Sequence, residues 1–208
     1  IAVAVNKTSD VLCHGGTTGS GTYTVSGNAT VGAYTYTLTA GTLGAGTLTY
    51  SGNVLTLSNV AAGTYTVRVT DTATGCFADG TITINQPAAA LTIAGAVATN
   101  FNCNNDNAQI TVSATGGTTA YGYAAVPATP ATVPTIFASS NVVTVDTNNG
   151  TILNWVVYVR DANGCTTSTA VTIAGDPAPA DPVVTVPNQC SATGSGFTIT
   201  VTPVMGAL

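Results

Sequence analysis

Residues 63–71 read Gly-Thr-Tyr-Thr-Val-Arg-Val-Thr-Asp, and residues 154–161 read Asn-Trp-Val-Val-Tyr-Val-Arg-Asp. When the two aspartates are aligned, both stretches place an aromatic ring near the start and a valine at every second position after it. Alternation with period two, bounded by Gly or Asn, predicts a half-buried β-strand. Each aspartate is followed within a few residues by Gly-Cys. The same strand and turn are therefore predicted twice in one chain.

The cysteines repeat with the same period as these strands. Cys13, Cys103 and Cys190 are separated by 90 and then 87 residues, and Cys76 and Cys165 by 89. Self-similarity at a fixed period is the signature of a repeat protein. We therefore expect tandem copies of one structural unit.

Alternating runs recur in the same order around these strands. Seven short strands in about 90 residues, without a helical stretch, are typical of an immunoglobulin-like β-sandwich. The predicted fold class is all-β, with tandem seven-stranded sandwiches in an elongated array. The predicted units span 1–88, 89–180 and, as an incomplete third repeat, 181–208. The predicted strands lie near 1–5, 22–26, 33–39, 47–50, 53–58, 64–70 and 80–85 in the first unit, and near 91–97, 108–114, 120–125, 135–138, 142–146, 153–160 and 168–173 in the second.

The third repeat holds only two predicted strands, near 183–186 and 197–201. Two strands do not bury a core alone. We expect either that the chain continues or that another chain completes the unit. Residues 1–5 carry no basic segment or cleavage pattern of a signal peptide. We therefore expect a mature or internal piece of a secreted protein.

The composition excludes several classes of protein. The chain has 208 residues, of which 5% are charged, and a net charge of −5. It has 41 threonines and no glutamate. Threonine is typical of solvent-exposed strand faces, and the lack of glutamate excludes a helical bundle. Its three basic residues are isolated, so neither nucleic acid nor an anionic membrane surface is an expected partner. The longest weakly polar run, 88–98, is shorter than the ~20 residues that a spanning helix needs.

Recurrent motifs lie at 13–16, Tyr34 and Tyr36, 63–71, 116–117, Tyr121 and Tyr123, and 161–165. They resemble the SprB-type repeat of gliding-motility adhesins and other giant surface proteins of the Bacteroidota. The resemblance covers nearly the whole chain and departs from the family pattern at 27–28, at Trp155 and in the insertion 127–134. It implies a secreted, tandemly repeated cell-surface adhesin or filament that is exported by the type IX system.

Five cysteines in a weakly charged, evidently extracellular chain indicate disulfides. Pairing within a unit, Cys13 with Cys76 and Cys103 with Cys165, is one alternative, and reduced thiols are another. Strand parity favours a third. The first cysteine of a unit follows strand one and the second follows strand six, so the two lie at opposite ends of a sandwich ~20 Å long. A disulfide needs Cα atoms ~4.4–6.8 Å apart.

In a head-to-tail array, the first cysteine of one unit instead lies near the second cysteine of the next. The favoured pair is therefore Cys13 with Cys165. Cys76 is then expected to bond the preceding repeat, and Cys103 and Cys190 are expected to bond repeats beyond the fragment.

Catalytic and metal sites are poorly supported, and no cofactor is expected. His14 is the only histidine and lies in a Gly-rich turn, where we expect a solvated residue rather than a general base. Asp71, Asp106 and Asp161 are weak candidates for Ca²⁺, which takes 6–8 oxygen ligands. The alternative is that Asp71 and Asp161 cap turns. We expect no enzymatic activity.

Aromatic residues and glycosylation motifs complete the candidate sites. Tyr65 and Trp155 are expected to pack in the core at a strand corner. For the Tyr-x-Tyr pairs, core packing is favoured over an exposed patch that binds glycan. Asparagines in acceptor triplets for N-linked sugar, and a threonine in a motif that resembles the Bacteroidota O-glycosylation motif, are candidates for modification. They are Asn6, Asn28, Asn149 and Thr72.

The leading functional hypothesis is a structural and adhesive segment of a long surface adhesin or filament. Its expected partners are neighbouring repeats of the same chain, with surface glycans or other copies of the filament as further candidates. One alternative is a filament subunit that assembles by strand exchange. A second is a carbohydrate-binding module of a secreted enzyme, which predicts sugar affinity in the isolated fragment.

Overall fold

A computed structural model describes residues 1–27, 33–102, 105–176, 183–185 and 200–202. Asn28, Cys103 and Cys190 lie outside these residues. The described part of the chain is all-β, as predicted, and contains no helix able to cross a membrane. Its strands are β1 (Ala2–Ser9), β2 (Gly19–Ser26), β3 (Tyr34–Ala40), β4 (Thr47–Ser51), β5 (Val54–Val60), β6 (Gly63–Asp71), β7 (Phe77–Ile84), β8 (Thr92–Ala98), β9 (Asn107–Thr115), β10 (Gly122–Pro127), β11 (Val142–Asp146), β12 (Asn154–Arg160), β13 (Thr166–Thr172), β14 (Val183–Thr185) and β15 (Thr200–Thr202).

The first seven strands form a two-sheet sandwich. One sheet has the order β1-β2-β5-β4 and the other has the order β3-β6-β7, with antiparallel pairing throughout. This is the strand order of an immunoglobulin constant-type domain. The predicted immunoglobulin-like fold is therefore confirmed by the topology of this unit.

The period-two pattern of the sequence places every second side chain of a strand between the sheets. In β6, Tyr65, Val67 and Val69 are buried, and they meet Tyr23, Leu55 and Leu57 of the opposite sheet, which are fully buried. Gly80 of β7 lets the sheets approach, because a Cβ at this position would lie 2.6 Å from Val3 Cγ1. The core of the first unit is thus a continuous apolar layer.

The second sandwich follows the same plan with one strand fewer among the described residues. Its sheets are β8-β9-β11 and β10-β12-β13. A separate core forms around Ile110, Val112, Val157 and Val159, all of which are fully buried. The two cores share no residue.

The predicted strand near 135–138 was wrong. Only Ala138 pairs, in an isolated bridge to Tyr123 of β10, and Ile136 is 84% exposed.

In the first unit, the β4–β5 hairpin turns through Gly52 and Asn53, and Gly52 has the positive φ (59°) that a type II′ turn requires at its first position. Asn141 of the second unit corresponds to Asn53. The carbonyl of Asn53 accepts the N–H of Val25, and the carbonyl of Asn141 accepts the N–H of Val112.

The glycine of that turn is replaced by Ser140 in the second unit, and a side chain there disfavours positive φ. Pro134, just before the predicted strand, has no N–H to donate to a sheet ladder. The segment therefore runs to the edge of β10 instead of pairing with β11.

Both units contain a ring that is bonded to the backbone at the corner before the sixth strand. Tyr65 Oη donates to the carbonyl of Ala61 at 2.9 Å, and Trp155 Nε1 donates to the carbonyl of Ile152 at 3.1 Å. These rings are 2% and 7% exposed, so the predicted core position of both is confirmed. The contact is the tyrosine corner of immunoglobulin-like domains, made by indole in the second unit.

Candidate functional site

Four of the predicted site residues, Cys13, His14, Asp161 and Cys165, lie where the first sandwich meets the second. We call this region the junction: the turn 10–18, the linker 85–91 and the loop 161–165. The turn joins β1 to β2, the linker joins β7 to β8, and the loop joins β12 to β13.

The turn is bonded to the beginning of the linker. Asp10 Oδ1 accepts the N–H of Asn85 at 2.7 Å, and the N–H of Val11 donates to the carbonyl of Asn85 at 2.8 Å. The bond from the Asn85 N–H, together with Lys7, whose Nζ lies 2.9 Å from the carboxylate, lowers the pKa of Asp10. A carboxylate that accepts a backbone N–H is favoured in its charged form. Asp10 therefore holds the linker at the end of β7.

Two further contacts continue along the linker. His14 Nδ1 lies 2.8 Å from the carbonyl of Pro87, and the N–H of Gly15 donates to Gln86 Oε1 at 2.8 Å. His14 is exposed, as expected of a solvated turn residue, and it also contacts the linker. Its partner is a carbonyl, so the ring nitrogen donates and the residue positions the chain.

The second sandwich holds the linker from its other side. The N–H of Gly117 donates to the carbonyl of Ala89 at 2.9 Å. Gly117 has φ 58°, and a Cβ there would lie 2.6 Å from Asp161 Oδ2, so glycine is required at this position. Because both sandwiches bond the linker, bending it costs hydrogen bonds on each side.

The loop 161–165 is organised by one buried carboxylate. Asp161 is 4% exposed, its Oδ1 accepts the N–H groups of Asn163 and Cys165, both at 2.9 Å, and its Oδ2 accepts the N–H of Thr118 at 2.9 Å. Asp71 has the same place in the first unit, where its Oδ1 accepts the N–H of Ala73 at 2.8 Å. Both aspartates therefore cap their turns, as the sequence predicted.

The loop carries the covalent link between the units. Cys13 and Cys165 form a disulfide with a Cα–Cα distance of 5.7 Å and a sequence separation of 152 residues. It is the pair that strand parity favours. Beside it, Asn163 Nδ2 donates to the carbonyl of Leu12 at 2.9 Å and to Thr118 Oγ1 at 3.1 Å. Sequence reasoning missed Asn163, although its place in the Asn-Gly-Cys motif was visible.

The other described cysteine is unbonded. Cys76 is exposed and has a free thiol. It follows Asp71 as Cys165 follows Asp161, and in both loops the N–H of the aspartate donates to the carbonyl of the cysteine at 2.9 Å. The first unit thus presents a loop that is one residue longer but has the same backbone contact between aspartate and cysteine as the loop on which the second unit forms its bridge.

The three candidate Ca²⁺ ligands do not form a cluster. Asp71 and Asp161 cap their turns, and the carboxylate oxygens of Asp106 lie 3.2 and 3.3 Å from the Asn149 amide when that amide is oriented to donate. Within the described ranges, no group of three or more His, Cys, Asp or Glu side chains lies close enough to hold a metal ion.

The candidate modification sites within the described residues are on the surface. Asn6, Asn149 and Thr72 are exposed, and Thr72 Oγ1 donates to the carbonyl of Ala33 at 3.1 Å. Glycosylation at these residues stays a prediction.

The tyrosine pairs lie largely against the cores, as favoured. Tyr34 and Tyr36 pack on the first core, and Tyr121 and Tyr123 belong to the second. Tyr36 also meets Tyr50 of β4, with ring centroids 5.6 Å apart, and Tyr50 is 62% exposed. These rings close the side of the first sandwich between β3 and β4.

No family model and no curated protein matches the sequence. Among solved structures, the chain is similar to a C-terminal intimin fragment in complex with the intimin-binding domain of its translocated receptor, with 17% identity and a TM-score of 0.38 over 83% of this chain and 63% of that one. It is also similar to three N-terminal domains of the outer capsid protein Hoc of bacteriophage RB49, with 13% identity and a TM-score of 0.41 over 99% and 69%.

A third similar structure is the N-terminal eight immunoglobulin domains of Down syndrome cell adhesion molecule, with 15% identity and a TM-score of 0.38 over 84% of this chain and 25% of that one. The fold assignment rests on the strand order given above.

Proposed function

We propose that the chain is a load-bearing segment of a secreted, tandemly repeated surface adhesin or filament. The observation that carries the proposal is the disulfide between Cys13 and Cys165, which joins two separate sandwiches. Disulfides persist in oxidising, extracellular compartments. A weakly charged surface rich in threonine and a chain of repeats suit the same setting.

The disulfide changes the path of tension. A force that pulls residues 1 and 208 apart passes from Cys13 directly to Cys165, so the 152-residue interval is bypassed. Strands β2 to β12 lie within that interval, whereas β1, β13 and the core residues Val11, Val171 and Ile173 lie outside it. The bridge therefore keeps the bypassed strands from extending under load, while the bonded linker keeps the two sandwiches in register.

Cys76 extends this arrangement to further repeats. Its loop has the backbone hydrogen bonds of the loop that presents Cys165, and its thiol is exposed and free. In the proposed array it bonds the first cysteine of the preceding repeat, and Cys103 bonds the repeat that follows. Overlapping bridges of this kind form a continuous covalent ladder along the filament.

The proposal includes the finer identity that the sequence motifs suggest. The resemblance to SprB-type repeats supports a role in gliding or surface attachment and export by the type IX system. Thr72 is the proposed site of O-linked sugar. The role is mechanical and adhesive rather than enzymatic.

Pulling single molecules tests the mechanical role. The chain is held at residues 1 and 208 and extended with and without reductant. Without reductant, we expect the bridged interval to contribute no extension. With reductant, unfolding gains on the order of 500 Å, because an extended residue spans ~3.3–3.6 Å.

Two variants control this experiment. C13S is expected to give the long extension without reductant. C76S, which removes a cysteine from the equivalent loop, is expected to behave as the wild type. Equal wild-type extension with and without reductant would contradict the proposal.

A further inference from the structure

Each sandwich stacks an arginine on a phenylalanine at its surface. The guanidinium carbon of Arg68 lies 4.2 Å from the ring centroid of Phe77, and that of Arg160 lies 4.4 Å from the ring centroid of Phe137. A guanidinium stacked on a ring keeps its N–H donors in its own plane, where they remain free to meet a carboxylate. The two pairs are therefore comparable in chemistry.

In the first sandwich, the carboxylate is supplied by the chain itself. Arg68 and Asp79 are cross-strand partners in the β6–β7 register. Arg68 Nε and Nη2 each donate to one oxygen of Asp79 at 2.8 Å, in the bidentate geometry that suits guanidinium and carboxylate. This contact lowers the pKa of Asp79. This pair shows that an arginine stacked on a ring binds a carboxylate.

In the second sandwich, the cross-strand positions hold no acid. Arg160 pairs in register with Gly122 of β10 and Thr166 of β13. Throughout the described ranges, the ion pairs are those of Lys7 with Asp10 and Arg68 with Asp79, so Arg160 makes none. The neighbouring Asp161 carboxylate is already bonded to three backbone N–H groups.

Arg160 borders a surface cleft of about 450 Å³, the acid cleft, which is lined by 120–122, 137–139, 160–162 and Gly164. The cleft is built by the diverted segment of the second unit. Because Gly122 has no side chain, Phe137 lies directly against β10, where a Cβ would be only 2.8 Å from Phe137 Cβ. Ser139 adds a hydroxyl at the edge. A volume of this order is within the range of small-molecule binding sites.

We propose that the acid cleft binds a carboxylate carried on a sugar ring, a uronic acid residue of an acidic glycan. The guanidinium of Arg160 takes the carboxylate as Arg68 takes Asp79, and the polar edge of the cleft takes ring hydroxyls. A uronic acid residue presents a carboxylate and hydroxyls together, which matches Arg160 beside the hydroxyl of Ser139 at the edge of the cleft. This inference is independent of the load-bearing role, since the cleft and the disulfide are tested by different measurements.

Titration of the intact, oxidised chain with glucuronate, followed by amide NMR, tests the proposal. We expect shifts confined to amides of Gly122, Ala138, Ser139 and their neighbours, with affinity that falls as salt rises. Glucose at the same concentration is expected to cause no such shifts, because it lacks the carboxylate.

Two arginine variants form a matched pair. R160Q is expected to weaken glucuronate binding about tenfold or more, because it removes a charge-assisted bidentate contact. R68Q, which removes the other stacked arginine, in the first sandwich, is expected to leave binding unchanged. R160K, which keeps the charge but loses the planar fork, is expected to bind with intermediate affinity.

Four outcomes would overturn the proposal. They are no localised shifts with glucuronate, equal shifts with glucose, equal binding by R160Q in a variant whose spectrum shows an intact fold, and tighter binding of an N-acetyl-aspartyl amide than of glucuronate. The last outcome would assign the cleft to an acidic peptide.

Discussion

The loop that ends in Cys76 and the loop that ends in Cys165 share their backbone hydrogen bonds and differ in the state of their sulfur atoms. In both, an aspartate caps the turn and a glycine with positive φ, Gly75 at 75° or Gly164 at 85°, precedes the cysteine. Cys165 is bridged to Cys13, whereas Cys76 is free. The loop conformation is therefore local, because its backbone contact between aspartate and cysteine is the same with a bridged and with a free cysteine.

The two sandwiches also differ at the fourth strand, which forms in the first unit but not among the described residues of the second. A glycine at φ 59° closes the β4–β5 hairpin of the first unit, and its replacement by Ser140 accompanies the diverted segment of the second. The first unit gains a strand, and the second gains the acid cleft. The prolines before the segment and Ser140 after it thus accompany the exchange of an edge strand for a surface cavity on the same framework.

The largest expected effect on stability distinguishes the two capping aspartates, Asp161 and Asp71. D161A removes the acceptor of three backbone N–H groups, and we expect it to destabilise the second sandwich by about 3 kcal/mol. Trp155 is the only tryptophan of the chain, so its fluorescence during urea unfolding reports on this unit alone. D71A is the matched control and should leave the tryptophan transition in place. Equal shifts of that transition in both variants would show that the units do not unfold separately.

Alkaline pH should separate the two cores. Burial in the first core raises the pKa of Tyr23 from 10.0 to about 12, with a smaller contribution from Tyr65. The unfolded chain ionises this phenol at lower pH than the folded chain does. The stability that the neutral phenol provides is therefore complete below pH 10 and is lost as pH rises from 10 to about 12.

We expect the loss to be on the order of 1–2 kcal/mol and to be confined to the first sandwich. Urea unfolding at pH 8 and pH 11, followed by circular dichroism and by tryptophan fluorescence, measures it. Y23F should lose less stability than the wild type over this interval. A larger alkaline shift of the tryptophan transition than of the first unit would contradict the assignment.

The smallest expected effect compares the two ring corners. Y65F removes the bond to the carbonyl of Ala61, and W155F removes the bond to the carbonyl of Ile152. Y65F should lower the free energy of unfolding of the first unit by about 1 kcal/mol, the usual net value of one hydrogen bond. W155F should lower that of the second unit by more, because the smaller ring also leaves a cavity. Thermal unfolding by circular dichroism measures both. A loss in one variant and none in the other would mean that indole does not replace phenol at this corner.

Much of the fold was predictable because threonine and valine alternate so regularly. The strands around Tyr65 and Trp155 were predicted to within one or two residues, and burial of both rings follows from the same alternation. The strand near 135–138 was not, because its side-chain pattern suits pairing while the prolines before it and Ser140 after it direct the chain elsewhere.

The junction was predictable only in its covalent part. Strand parity brings Cys13 near Cys165, since it depends on the order of strands alone. The contacts of Asn163 with Leu12 and of His14 with Pro87 depend on how two units face each other, which no pattern within one unit encodes. The acid cleft was missed for a similar reason, because Arg160 and Phe137 meet only through the diverted path of the intervening chain.

Peptide mapping without reduction tests the central claim most directly. The chain has one lysine and two arginines, at positions 7, 68 and 160, so trypsin divides it into 1–7, 8–68, 69–160 and 161–208. A C190S variant, alkylated in acid and then denatured, leaves Cys165 as the only cysteine of the last peptide. We predict a linked pair of 8–68 with 161–208, which is the Cys13–Cys165 bridge across the two sandwiches. A linked pair of 8–68 with 69–160 would place the bridge inside the first repeat or elsewhere and would contradict the account.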